Sequence, residues 1–182
     1  MTFAETTLKG SYIIDLNLFT DDRGAFARTF CKREFEQIGH AKEFVQFNQS
    51  YNTFKGTIRG MHYQKPPFKE IKLIRCIRGT VYDVIIDIRE NSPTFLKHVG
   101  VELSAENKKM IYVPEGFAHG FVVLSDTAEF LYKTTDYYAP EYERCIVWND
   151  NDLNINWPIK GSPVLSMKDQ QGLTLRFAEV FM

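Results

Sequence analysis

Two stretches carry the residues best suited to chemistry: IRGMHYQK at 58–65, which holds His62, and VPEGFAHGF at 113–121, which holds His119. Imidazole titrates near neutral pH and is the commonest side-chain ligand for metals, so a lone histidine admits several readings. His62 can be a general base, a metal ligand or a packed core residue. His119 follows the tight-turn pair Pro114 and Gly116, and can cap that turn or face a site. Catalytic metal centres usually take three or more protein ligands. His62, His119 and Glu70 make the candidate set, with Gln64 beside His62. Gln64 is a neutral amide where a second imidazole would serve better, and Lys72 lies two residues from Glu70. The expectation is therefore no bound metal.

The elements that position these residues read as strands. In IKLIRCIRG, Ile71, Leu73 and Ile77 share one parity while Lys72, Ile74, Cys76 and Arg78 share the other; the pattern alone does not say which face points inward. TVYDVIIDIR follows directly after Gly79, so 71–89 predicts two strands meeting at a glycine bend. VGVELS, KMIYVP, HGFVVLS, AEFLYKTTDYY and RCIVWND continue the series, separated by turn formers. Many short strands at close spacing indicate a sandwich or barrel, with an antiparallel jelly roll preferred. CKREFEQIG is the best helix candidate, with Gly39 as its stop. GSYIIDLNLFTDDRG reads as an extended arm that turns at Asp21–Gly24, and DLNINWPIKGSPVLSMKDQQG as a turn-rich outer wrap before a final helix or strand.

The chain has 182 residues, enough for one well-buried domain. Its formal charge of −1 gives no global field for nucleic acid or a membrane surface. Aromatic residues reach 14%, which suits a sheet-rich core or an aromatic-lined pocket. Three cysteines, Cys31, Cys76 and Cys145, are odd in number and far apart, which fits a reducing compartment. MTFAETTLKG has no signal or transit pattern, and no apolar run approaches the roughly 18–20 residues of a membrane span. The expectation is a cytoplasmic protein.

The spacing Pro-x-Gly-x-x-His of Pro114, Gly116 and His119 resembles the second motif of cupins. His62, Gln64, Glu70 and Gly79 would be the counterpart of the first. Taken with DDRG, KGTIRGMHYQ, KLIRCIRGTVYDVIIDIRENSPTF, VGVELSAENKKMIYVPEGFAHGF, DTAEFLYKTTDYYAPEYERCIVWND and PVLSMKDQQG, in order, the chain resembles the dTDP-4-dehydrorhamnose 3,5-epimerase family. The resemblance implies an all-β, cupin-type jelly-roll barrel with short peripheral helices and an extended N-terminal arm. It divides one domain, 1–182, into an arm (about 1–50), a barrel core (about 51–150) and a C-terminal wrap (about 151–182). It implies a homodimer with exchanged arms, no cofactor and a nucleotide-linked 4-keto-6-deoxyhexose as substrate. His62 would be the base, Asp169 its orienting carboxylate, Lys72 the cation at the keto oxygen and Tyr132 the proton donor. Arg23, Phe26, Arg28, Gln46, Asn48, Arg59, His119, Tyr138, Glu143 and Lys168 would bind substrate, with Arg23, Arg59 and Lys168 as candidates for the diphosphate and Tyr138 for stacking on the base.

The sequence departs from the family in three places. Arg28 replaces a glutamate that contacts the thymine, Glu70-Ile71 replaces Gln-Gly, and one extra residue falls between Asn48 and Gly56. These changes motivate a rival, a single-site 3- or 5-epimerase on a CDP-, GDP- or dTDP-linked sugar. A metal-dependent cupin enzyme and a noncatalytic sugar-nucleotide binder are the rivals from other classes.

Overall fold

A computed structural model describes residues 1–181. Among the described residues, thirteen strands, two short α-helices and two 3₁₀ helices follow one another along the chain. One six-stranded sheet has the order β1 (Thr2–Glu5), β2 (Tyr12–Asp15), β10 (Met110–Val113), β7 (Lys72–Arg78), β12 (Ala128–Thr134), β5 (Gln46–Asn52). A five-stranded sheet has the order β13 (Glu143–Cys145), β6 (Ile58–Gln64), β11 (Phe117–Val123), β8 (Thr80–Asp87), β9 (His98–Ser104). The two sheets face each other as an antiparallel jelly-roll sandwich, and their edges do not close into a barrel. β3 (Phe19–Asp21) and β4 (Gly24–Phe26) form a separate hairpin in which every residue is exposed. Residues 2–15 join the six-stranded sheet through β10.

Burial on both faces explains why several strands read as continuous apolar runs. All seven residues of β11 are buried, and all four of β10. Between the sheets lie Ile74, Cys76, Val81, Ile85, Ile111, Phe121 and Phe130. Outside the five-stranded sheet, Met61, Val84, Ile86 and Val122 pack under the C-terminal wrap through Leu153, Trp157 and Leu165. Outside the six-stranded sheet, Ile14, Leu73, Met110 and Tyr112 are covered by Phe35, Phe30 and Phe44. The covering segment carries α1 (Lys32–Phe35), which continues as a 3₁₀ turn over Glu36–Ile38 and stops at Gly39, the predicted terminator.

Two glycines set the geometry near the site. Gly79, at φ +72°, joins β7 to β8, but these strands lie in different sheets, so the predicted bend is a crossing between layers. A Cβ there would meet Thr127 O at 2.1 Å. Gly60, at φ +123°, lets β6 press against β11; a Cβ there would lie 2.5 Å from the Gly120 Cα. The ladder between β6 and β11 shifts register at this point and leaves His62 opposite His119. The strand predicted for RCIVWND is shorter, Glu143–Cys145 with an isolated bridge at Ile146. The segment beyond runs as turns over the core, because Asp150 caps it by accepting the Asp152, Leu153 and Leu175 N–H groups.

Candidate active site

One cavity of about 650 Å³ opens between the two sheets. The five-stranded sheet supplies His62, Gln64, His119 and Glu143; the six-stranded sheet supplies Gln46, Asn48, Lys72, Tyr132 and Thr134. Arg59, Glu70, Tyr138 and Lys168 add further charged or hydrogen-bonding groups to the lining. The question of parity is thereby resolved: Lys72 shares the inward face with Ile74 and Cys76, while Leu73 faces the outer cover.

His62 stands near the end of β6 with its Nε2 2.8 Å from Asp169 Oδ1. The ring N–H is not aimed along that line, so this is a close charge contact rather than a straight hydrogen bond. Asp169 lies 107 residues further on, in α2 (Met167–Gln170). Ser166 caps this helix: its Oγ accepts the Asp169 N–H at 3.2 Å and donates to Asp169 Oδ2 at 2.6 Å. The Gly60 N–H donates to Asp169 Oδ1 at 3.0 Å. Burial would raise the Asp169 carboxyl, but His62, Ser166 and the Gly60 N–H together hold it at about 2. The result is a fixed anion behind the imidazole.

His119 has a different partner. Its Nε2 lies 2.8 Å from Asp83 Oδ2, and Asp83 is wholly buried. Burial pushes the Asp83 carboxyl up, against the pull of His119 and Lys72. The His119 ring stacks on Phe130, with centroids 6.1 Å apart and planes 13° apart. Lys72 Nζ lies 3.3 Å from Glu70 Oε1, and both side chains are largely buried. Tyr132 packs beside Phe130 on β12, with Asn48 and Ile74 as its strand partners.

The cavity mouth is polar. Tyr138 Oη donates to Glu143 Oε2 at 2.6 Å, and Lys168 pairs with Glu143 Oε1. Burial opposes ionisation of Glu143, but Lys168 and Tyr138 keep its carboxyl below the usual range. The Tyr138 N–H donates to Gln46 Oε1. Arg59 donates through Nε to Asn52 Oδ1 at 2.8 Å.

The cavity therefore gathers His62, Lys72, Tyr132, Gln46, Asn48, Arg59, His119, Tyr138, Glu143 and Lys168, with Asp169 directly behind. It does not gather Arg23, Phe26 or Arg28. Arg23 extends into solvent beside Asp21, Phe26 is exposed, and Arg28 pairs with Glu34 at 3.1 Å. Nor do His62, Gln64, Glu70 and His119 make a metal donor set. Gln64 spends its amide on Phe68 O, Tyr137 O and the Ala139 N–H, Glu70 pairs with Lys72, and His119 pairs with Asp83. Sequence reasoning missed Asp83 and Ser166. Asp83 was recoverable, as a lone carboxylate in phase with inward Val81 and Ile85.

An imidazole backed by a carboxylate and a phenol on the opposite sheet, with a lysine between buried walls, can remove a proton from one face of a carbon acid and return one to the other. The family model described as dTDP-4-dehydrorhamnose 3,5-epimerase matches residues 5–176. A dTDP-4-dehydrorhamnose 3,5-epimerase of Shigella flexneri is 48% identical over 183 residues, covering 100% of both chains. The crystal structure of the enzyme of that name from Elizabethkingia anophelis superposes with a TM-score of 0.93 at 46% identity, covering 97% of each chain. The dTDP-6-deoxy-D-glucose-3,5-epimerase of Legionella pneumophila, in complex with dTDP-4-keto-L-rhamnose, gives 0.93 at 42% identity, covering 98% of this chain and 94% of that one.

Proposed function

The chain belongs to the dTDP-4-dehydrorhamnose 3,5-epimerase family, and we propose that it inverts carbons 3 and 5 of a dTDP-linked 4-keto-6-deoxyhexose. The observation that carries this reading is the placement of His62 and Tyr132 on opposing sheets of one cavity, with Asp169 behind His62.

The ketone at carbon 4 acidifies the protons on both neighbouring carbons. His62 takes one such proton, the C–H electron pair becomes the C=C bond of an enolate, and the carbonyl π pair moves onto the oxygen. Asp169 stabilises the imidazolium that forms. The Lys72 ammonium meets the growing charge on oxygen, in a walled site where such contacts are strong. Tyr132 then delivers a proton to the opposite face. A phenol with a pKa of about 10 is a weak acid, but an enolate is basic enough to take its proton. His62 then releases its proton to solvent and the Tyr132 phenolate takes one up, and repetition at the second carbon completes the reaction.

Arg59 and Lys168 suit the diphosphate, since both are cations in the cavity lining. His119 faces the sugar, Tyr138 stacks on the base, and Gln46, Asn48 and Glu143 supply hydrogen bonds. Arg23, Phe26 and Arg28 act in a neighbouring subunit of a homodimer with exchanged arms. That reading is supported by the projecting hairpin and by the exposure of Phe19, Phe26 and Phe47. Among the described residues no helix is long and apolar enough to cross a membrane, and three unpaired cysteines support a cytoplasmic setting.

Proton NMR of dTDP-4-keto-6-deoxyglucose with the protein in deuterated water tests the chemistry. The signals of the protons on carbons 3 and 5 should both disappear. Exchange at one carbon alone would make the protein a single-site epimerase, and a folded protein that exchanges neither would overturn the proposal.

A further inference from the structure

β13 lies beside β6 with Cys145 directly opposite His62 in the ladder. The Cys145 thiol plays no part in the chemistry proposed above and does not line the substrate cavity. Yet an imidazole nitrogen of His62, the Sγ of Cys145 and a carboxylate oxygen of Asp169 all lie within 4.8 Å of one another. We propose that these three side chains form a zinc site that switches the enzyme off: coordination of His62 Nε2 leaves the ring proton on Nδ1, the cavity-side nitrogen, which can then no longer act as the base.

Zinc binds sulfur at about 2.3 Å and nitrogen or oxygen at about 2.0–2.2 Å, so neighbouring ligands on one tetrahedral ion stand roughly 3.3–3.6 Å apart. The three ligand atoms of His62, Cys145 and Asp169 lie within 4.8 Å of one another, so small side-chain movements bring them to that scale. The 2.8 Å contact between His62 and Asp169 needs only to open slightly. His62 Nε2 is buried and makes no aligned hydrogen bond, so a metal displaces no strong partner from it. The Cys145 thiol makes only a long contact to Ile146 O at 3.6 Å. Asp169 is already ionised and held by Gly60 and Ser166, which would orient the ligand from behind. One imidazole, one thiolate and one carboxylate select a borderline ion such as zinc over magnesium or calcium. The fourth position is left for water.

Cys145 binds zinc as the thiolate and gives up its proton to solvent as the metal binds, so zinc binding should strengthen with pH. The mode of binding is independent of the epimerase reading; the loss of turnover rests on His62 being the base.

The test uses the full chain, freed of metal with a chelator and titrated with Co²⁺, then Zn²⁺. One Co²⁺ per chain should produce a thiolate-to-cobalt charge-transfer band that Zn²⁺ removes, and turnover should fall in step with Zn²⁺ occupancy. Cys145→Ser should abolish the band and raise the inhibitory zinc concentration by about tenfold or more. Its turnover in chelator should match that of the parent chain, which shows that it folds. Cys31→Ser should keep the band. A spectrum without the thiolate band, or equal zinc inhibition of Cys145→Ser, would overturn the site. A band with no loss of turnover would keep the site, reject the switch and place the fault with His62 as the base.

Discussion

Two histidine–aspartate pairs face the same cavity, and their histidines are register partners across β6 and β11. In both pairs the Nε2 to oxygen distance is 2.8 Å. The surroundings of the carboxylates separate them. Asp169 collects the Gly60 N–H and the Ser166 hydroxyl as well as His62, and its carboxyl is held at about 2. Asp83 has His119 alone; its Oδ1 has no partner, and burial pushes its carboxyl up. Deeper burial of Asp83 and the greater number of donors to Asp169, not the presence of a histidine, decide which aspartate is a permanent anion. Asp169 can therefore stabilise a cation that comes and goes on His62. Asp83 is better suited to fixing the orientation of His119 under the stacked Phe130 and Phe121 rings.

The widest expected difference between the pairs is in turnover. His62→Asn should lower kcat about a thousandfold while leaving dTDP affinity within a factor of a few. His119→Asn should act chiefly on KM, since it alters the cavity wall proposed to face the sugar and not the base. Steady-state kinetics on both variants checks this; equal losses in kcat would erase the functional contrast between the pairs.

Asp169→Asn comes next, with kcat lower by about a hundredfold or more, because an amide cannot stabilise imidazolium. Asp83→Asn should cost less than about tenfold. If the two amides cost the same, the donor-count argument fails. Tyr132→Phe sharpens the picture from the other sheet. His62 would still remove and return protons on its own face, so deuterium should enter the substrate faster than the epimer forms. A variant that loses exchange and inversion in equal proportion would remove Tyr132 from the role of acid.

This contrast was only half legible in the chain. The alternation in 71–78 marked a strand but left the face of Lys72 open, because both faces of the sheet are buried and both parities contain apolar residues. His62 stood out by its type, yet its partner lies 107 residues away on a four-residue helix, a contact no spacing rule reaches. It was visible only through family resemblance. Asp83 was legible in principle, since a charge in phase with Val81 and Ile85 must point between the sheets. Gln64 drew attention as a substitute metal ligand, whereas its amide pins the 137–139 turn and the loop at Phe68, which only tertiary structure reveals. The hairpin at 19–26 was readable as a turn, and every residue of its two strands is exposed.

The smallest expected effect is on stability, and there the two aspartates should act with opposite sign. The Asp169 carboxyl falls from 3.8 to about 2 on folding. Between those values the unfolded chain binds more protons than the native one, so stability rises with pH across the window. The contribution, about 2 kcal/mol, is complete above pH ~4 and lost as pH falls through ~2. The Asp83 carboxyl moves upward on folding. Above 3.8 the unfolded chain has released a proton that the native chain still holds, so stability falls with pH until the native group ionises as well. Urea unfolding at a series of pH values reads both slopes. Asp169→Asn should flatten the acid-side rise, and Asp83→Asn should remove the fall that begins above it. If both substitutions flatten the same limb, the carboxylates titrate alike, and the distinction between a held anion and a buried proton carrier is gone.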